Sequence, residues 1–580
     1  MSTLDWIVLV ATLGCIIGYG LYKSRTTRDL EGYFLSNRSM PWYLVLLSIM
    51  GTQASAITFL SAPGQAFTDG MRFVQYYFGL PLAMVVLCIS FVPLFNKLKV
   101  FTAYEFLEKR FDSKTRTFTA ALFLLSRGLS TGVSIYAPSI ILSSLLGWDI
   151  FWTNIVMGGL LIIYTVSGGA KAVAYTQQIQ MVIIFMGMFT AGYCMVHYLP
   201  SGVGFMQALQ LSGAGGKLNA ITTGFTGKGF DWKDKYNIIS GTIGGFFLAL
   251  SYFGSDQSQV GRYLTAKDTT ESKLGLLMNG LVKVPMQFLI LLLGGMLFTF
   301  YQFNAAPVFF NKALADKGKQ TVYNSKLSNL EKDYNTFQIQ QEANSKQYLA
   351  NTQSPQLKAN LKAGAAKLAG VQLEYKATLQ KALPNEDTND TNYIFLRFVI
   401  DFLPKGLVGL LIAIIFMSAW GSIAAALNAL ASCTMIDVHK RIFPNNERFV
   451  HKEAQCAYEY KTSRLYTLAW GIFSIITAEL SSGIGSLIEA VNIMGSLFYG
   501  VILGIFLVAF YLKQIQGNAV FYAAILSELL VITLFTLDKN GIIGLGFLWL
   551  NVVGALSVVV VAWVLGIAGL NKGLSTTAMQ

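Results

Sequence analysis

Ser418, Gly421, Ser422, Ala425 and Asn428 fall at three- and four-residue spacing inside the apolar run from Leu411 to Asp437. On a helix that spacing makes one stripe, here small and weakly polar. Two readings stay open: small residues are the usual means of close helix packing in a membrane, and hydroxyls with exposed carbonyls are the hard oxygen ligands a cation takes. Two cations inside apolar runs add a second kind of chemistry. Arg127 lies about a dozen residues into its span, roughly 18 Å from its start at 1.5 Å per residue, and Lys283 is placed similarly. A cation that deep must face the protein interior or a wet cavity and have a partner. For Arg127 the partner is either an internal carboxylate or carbonyl, or a solute carboxylate that arginine can grip bidentately; Lys283 has the same ambiguity.

The stretch that should position these groups is Met50 to Gly70, MGTQASAITFLSAPGQAFTDG, which follows the apolar run from Trp42. Its Gly-Thr-Gln-Ala-Ser-Ala segment makes a poor uniform membrane helix. A small, polar break at membrane depth is tolerated only where protein or a water-filled cavity satisfies the freed backbone. A second run, Phe246 to Val260, loses its apolar character at Gly254, Ser255 and Asp256. Interrupted helices at corresponding positions of two halves point to an inverted-repeat carrier with its site at the midplane.

Composition supports a membrane setting. The 580 residues are 54% hydrophobic and only 13% charged, with a mean hydropathy of +0.51. A window of about 20 residues per crossing yields about thirteen apolar segments, near 4–23, 42–69, 72–95, 117–146, 149–166, 173–198, 238–256, 275–303, 394–438, 463–482, 485–511, 518–537 and 542–570. The net charge of +13 comes from basic residues in short loops between them, among them Arg25, Arg28, Arg38, Lys97, Lys109, Arg116, Lys440 and Arg448. Topology explains that distribution, and nucleic-acid binding does not: the basic loops face the cytoplasm, with the N-terminus outside and the C-terminus inside. The five cysteines are scattered without a CxxC pair or a histidine cluster, which supports neither a disulfide framework nor a transition-metal site.

The expected organisation is an extra N-terminal span and loop (1–41), a first repeat half (42–200), an outer loop (201–237), two further core spans (238–305), an insert (306–392), three core spans (393–512) and a two-span C-terminal region (513–580). In the insert, Leu327, Leu330, Tyr334 and Phe337, then Leu357, Leu361, Leu368, Tyr375 and Leu379, recur at helical spacing on either side of the turn Asn351 to Pro355. That pattern predicts an antiparallel helical hairpin outside the membrane, where it can meet a partner or the carrier's outer lid.

The motifs together resemble the sodium/solute symporter family, which includes the sodium-glucose cotransporters. The resemblance rests on Ser55-Ala-Ile-Thr-Phe-Leu-Ser-Ala-Pro-Gly64, Gly168-Gly-Ala-Lys-Ala-Val173, Asp256-Gln-Ser-Gln-Val-Gly-Arg262, and Leu427-Asn428 with Asp437. Gly132-Val-Ser-Ile-Tyr-Ala-Pro138 is similar to the branch carrying carboxylates, vitamins and anions. The resemblance implies an all-α polytopic protein with the LeuT-type five-plus-five inverted repeat. It implies a sodium site from the carbonyls of Gly51, Ala54, Ser418 and Gly421 and the hydroxyl of Ser422, and a solute site at Thr58, Arg127, Tyr252, Lys283 and, more loosely, Asn492. Some members hold a second sodium through an acid where this chain has Gln177 and hydroxyls where it has Ala424 and Ala425, so one sodium per cycle is expected.

The expected function is sodium-coupled uptake of a small organic solute (sugar, polyol, sugar acid or other carboxylate) across the plasma membrane, with sodium as the coupling ion. A sensor built on the same site, or a passive channel, is the alternative; a channel passes current without saturable, sodium-linked uptake. An enzyme is not expected, because neither a nucleophile–base pair nor a metal-ligand cluster stands out.

Overall fold

The computed structural model describes residues 2–24, 30–443, 452–481 and 486–570; Arg25, Arg28 and Arg448 lie outside them. The main helices are α1 (Thr3–Ser24), α2 (Trp42–Gln53), α3 (Ala56–Asp69), α4 (Leu80–Leu98), α5 (Ser113–Leu146), α6 (Ile150–His197) and α7 (Phe205–Ala214). After a two-residue pairing of β1 (Phe225–Thr226) with β2 (Gly229–Phe230) come α8 (Gly245–Ser255), α9 (Gln257–Tyr263) and α10 (Thr269–Phe303). The insert contributes α11 (Asn324–Ala350) and α12 (Pro355–Ala382), packed on each other. The chain continues through α13 (Leu407–Cys433), α14 (Lys452–Glu479), α15 (Leu487–Tyr511), α16 (Gly517–Lys539) and α17 (Leu548–Leu565).

Among the described residues, nine runs are long and apolar enough to cross a membrane, against about thirteen expected segments. The run Ala56–Leu98 merges two of the expected spans, and Ile150–Val166 is a shorter apolar piece. The interrupted 238–256 segment ends in the eleven-residue α8, and the 463–482 segment is not among the nine. Spans expected as separate at 149–166 and 173–198 form one 48-residue helix, α6; at about 72 Å it far exceeds a ~30 Å hydrocarbon core.

Both expected interruptions are present. α2 stops at Gln53, and Ala54 (φ −84°, ψ 77°) and Ser55 (φ −80°, ψ 174°) leave helical geometry before α3 begins. Asp256 (φ −76°, ψ 114°) separates α8 from α9. Its carboxylate accepts from the Ser258 backbone N–H at 2.8 Å and the Ser258 hydroxyl at 2.6 Å. That is the N-cap role for which aspartate is favoured, so the second break is written into the residue type.

Helix α13 runs through the middle of the bundle with nearly every side chain buried. Its Gly421, Ala424, Ala425, Ala426, Ala429 and Ala431 let α2, α5, α6 and α1 approach it closely, the packing small residues permit between membrane helices. α10 runs alongside the first broken helix: a Cβ on Gly275 would lie 2.7 Å from the Val45 side chain, and one on Gly294 only 2.2 Å from the Pro63 carbonyl oxygen.

Just beyond α13, Asp437 is fully buried against Arg116 of α5, with Nε–Oδ1 at 2.8 Å and Nη2–Oδ1 at 2.6 Å. Thr102 donates its hydroxyl to the same oxygen at 2.9 Å, and Arg116 also reaches Glu108 at 2.5 Å. Removing one partner of such a pair leaves an uncompensated buried charge. Arg116→Gln is expected to cost roughly 3–5 kcal/mol, read as a fall in melting temperature and in monodisperse yield; an unchanged melting temperature would show that the pair contributes no stability.

Candidate functional site

Beside the first break lies a cavity of about 90 Å³ lined by Gln53, Ser55, Ile57 and Thr58 of the broken helix, Tyr76 and Tyr77, Arg127 of α5, Leu248 and Tyr252 of α8, and Ile488, Val491, Asn492 and Tyr499 of α15. Four of the five residues expected at a solute site, Thr58, Arg127, Tyr252 and Asn492, therefore face one space. Each comes from a different helix. Lys283 is not among the lining residues. It is fully buried on α10 with its ammonium 5.7 Å from the centre of the ring of Tyr77, a cavity-lining residue.

The cavity sets a few fixed polar groups in a mainly apolar wall. Tyr76 donates its hydroxyl to Asn492 Oδ1 at 3.0 Å. Arg127 Nη1 lies 3.7 Å from Asp256 Oδ2, and its guanidinium sits 5.9 Å from the centre of the Tyr252 ring. The same Asp256 oxygen accepts the Tyr499 hydroxyl at 2.7 Å. Arg127 Nε is buried without a hydrogen-bond partner. Beside its contacts with Asp256, Tyr252 and Tyr499, Arg127 retains donor capacity at Nε toward a ligand. Gln259, which does not line the cavity, donates Nε2 to the Tyr252 hydroxyl at 2.7 Å.

Of the residues expected to hold sodium, Ser418 and Ala54 are in direct contact. Ser418 donates its hydroxyl to the Ala54 carbonyl at 2.5 Å, joining α13 to the first break. Ser422 is buried, and its hydroxyl is turned to Ala419 O within α13 at 2.9 Å. Gly51 and Gly421 both face Gln177 of α6: a Cβ on Gly51 would lie 2.9 Å from that side chain, and one on Gly421 3.2 Å from it. Gln177 receives the Ser48 hydroxyl at Oε1 (3.0 Å) and donates Nε2 to the Gly421 carbonyl (3.1 Å) and the Thr52 hydroxyl (3.3 Å). The donor set around Ala54, Ser418, Gly421 and Ser422 is all oxygen and carries no carboxylate, which suits a monovalent hard cation better than a divalent one. Among the described residues no group of three or more His, Cys, Asp or Glu side chains is placed to hold a metal.

Sequence reasoning did not find Gln53, Tyr76, Tyr77 or Tyr499. None has a distinguishing spacing in the chain, and the Tyr499–Asp256 contact joins residues 243 positions apart. Asp256 stood in a quoted motif, but its pairing with Arg127 is a product of packing.

The profile of the Sodium:solute symporter family matches residues 33–328 and 364–527, and the chain belongs to that family. The unmatched stretch falls within α11 and α12. The sodium/sialic acid symporter of Aliivibrio fischeri is 24% identical over 568 residues, covering 97% of this chain and 92% of that protein. The sodium/glucose cotransporter of Vibrio parahaemolyticus is 24% identical over 540 residues, covering 91% and 84%. A solved Na⁺-coupled sialic acid symporter in a substrate-bound outward-open state superposes with a TM-score of 0.72 at 22% identity, over 98% of each chain. The fold is the LeuT-type inverted repeat expected from the paired breaks. The protein is a membrane-embedded, sodium-coupled symporter of a small solute.

Gln177 ties α2 to α13 through a neutral amide. Gln177→Leu leaves the Gly421 carbonyl and Ser48 hydroxyl without these partners, and is expected to cost about 1–3 kcal/mol; a melting temperature equal to wild type would show that the tie carries no stability.

Proposed function

We propose that this symporter imports a small hydroxylated carboxylate, of the sugar-acid class, with one sodium per cycle. The observation that carries the reading is the convergence of Arg127, Thr58, Tyr252 and Asn492 on one cavity beside the broken helix. Arg127 takes the carboxylate, while Thr58, Asn492 and the surrounding tyrosines take hydroxyls. Lys283 joins the site when Tyr77 swings aside. Sodium is held by the carbonyls of Gly51, Ala54, Ser418 and Gly421 and the hydroxyl of Ser422, which rotates away from Ala419 to reach it. The amide of Gln177 and the methyls of Ala424 and Ala425 argue against a second sodium. A neutral sugar is the second reading, favoured by the fact that Arg127 already has Asp256 as a counter-ion.

The cycle is alternating access. Sodium binds from outside, holds the α2–α3 break against α13 and shapes the cavity; the bundle then rocks and opens past Tyr252. A ligand shifts such an equilibrium only by its differential affinity for the two states, so the ion acts by binding the outward state better. The basic loops before α2, before α5 and after α13 face the cytoplasm by the positive-inside rule. The N-terminus and the α11–α12 insert are then outside, and the C-terminus inside, in the plasma membrane.

Energetics separate the two solute readings. One sodium crossing about 100 mV supplies roughly 2.3 kcal/mol, and a tenfold gradient adds about 1.4 kcal/mol. A neutral solute draws on both terms. A monoanion carried with one sodium moves no net charge, and accumulation falls to about tenfold.

In reconstituted vesicles, Ser422→Ala is expected to raise the sodium concentration for half-maximal uptake about tenfold, the equivalent of one ligand worth 1.4 kcal/mol; unchanged sodium activation would remove Ser422 from the site. Arg127→Gln is expected to abolish uptake of a sugar acid and spare a neutral sugar. Retained sugar-acid uptake by folded Arg127→Gln would overturn the anion reading.

A further inference from the structure

Asp256, Gln259 and Arg262 follow one another at three-residue intervals from the second break along α9, so they share a face. The first two meet the cavity wall: Asp256 pairs with Arg127 and Tyr499, and Gln259 with Tyr252. Arg262 has no such partner. It is 3% exposed, its Nε and Nη1 are buried without hydrogen bonds, and among the described residues no carboxylate pairs with it. The phenol of Tyr164, itself shared with Thr176, is its electrostatic neighbour. α9 packs on α13, where Asn428, 2% exposed, also has both amide atoms unpartnered.

An unpaired buried ammonium can shed its proton, but a guanidinium cannot. A buried charge left uncompensated costs several kcal/mol, so a site holding one is built for an anion that comes and goes. Arg262 sits about 4.5 Å along the helix from Gln259, at 1.5 Å per residue. It is also close to the point where Met40, at the start of α2, bonds to Thr265 and Lys267. In the orientation proposed above, that end is the cytoplasmic mouth.

We propose that Arg262, one turn beyond Gln259 on α9, forms a second anion subsite on the inner side of the Tyr252–Gln259 contact. Its ligand is a small anion: the carboxylate of a solute leaving the Arg127 cavity, or a free inorganic anion. The first source rests on the carboxylate reading of the main cavity; the second does not.

The test uses the full-length protein at constant sodium, replacing a bulky buffer sulfonate with acetate or bromide, in an Arg127→Gln background so that the main cavity contributes nothing. A saturable rise in melting temperature of at least about 2 °C that disappears on adding Arg262→Gln supports the subsite. A rise with acetate alone identifies carboxylates, and one with bromide as well identifies small anions generally. No rise, or one that survives Arg262→Gln, overturns it. If the variants do not fold, crystals of the unaltered protein grown in bromide decide: anomalous density within hydrogen-bonding distance of Arg262 supports the subsite, and its absence there overturns it. Failure of the sugar-acid reading leaves the bromide result standing.

Discussion

A backbone carbonyl or N–H at membrane depth has no water to bond, and this requirement governs how the molecule is built. The chain interrupts two helices inside the bundle and must satisfy what each interruption frees. At the first, the Ser418 hydroxyl takes the Ala54 carbonyl. At the second, the Tyr104 hydroxyl takes the Ser255 carbonyl at 2.7 Å while Asp256 caps the helix that follows. Side chains supplied by neighbouring helices thus hold the breaks open as binding geometry. α13, which reaches the first break, is all but completely buried.

Charge is distributed under the same constraint. Asp256 serves as helix cap, counter-ion of Arg127 and acceptor for Tyr499. A single carboxylate therefore links the second break to the wall of the cavity and to α15. Arg116 and Asp437 form a separate buried pair just beyond the C-terminal end of α13. Arg127 stands between these extremes, partly compensated and open to the cavity, the condition of a group that exchanges one partner for another. Polar networks of this kind are rigid when fully satisfied and selective where one donor is left over.

The groups proposed for ion and solute share the first break. Gly51 and Ala54 are directed at α6 and α13, while Gln53, Ser55 and Thr58 line the cavity. Whatever fixes the conformation of residues 51–55 fixes both sets of atoms at once. Coupling between two ligands requires such a shared element whose states each ligand binds differently. The insert packs on α10 and α7 and touches the broken helix where Phe310 meets Phe67, while α11 and α12 pack on each other, with the family profile falling silent across their turn.

Much of this was readable in the chain because the signals are local. Apolar length marks the spans, small and polar residues inside them mark the breaks, and Asp256 announces a helix start by its type alone. The three- and four-residue stripe on α13 was visible for the same reason. The solute site was legible only in part. Lys283 carries the same signal as Arg127, a cation deep in an apolar run, yet packing puts Arg127 in the cavity wall and Lys283 over the Tyr77 ring, outside the lining. Tyr76, Tyr77 and Tyr499 look like any aromatic residues of a membrane helix until the helices meet. Hydropathy, helix breaks and ligand-type residues are properties of short windows, so the sequence alone determined the membrane class, both interruptions and the residue types at the first of them. Which side chains share a space depends on helix rotation and on contacts hundreds of residues apart, and only the tertiary structure decided that.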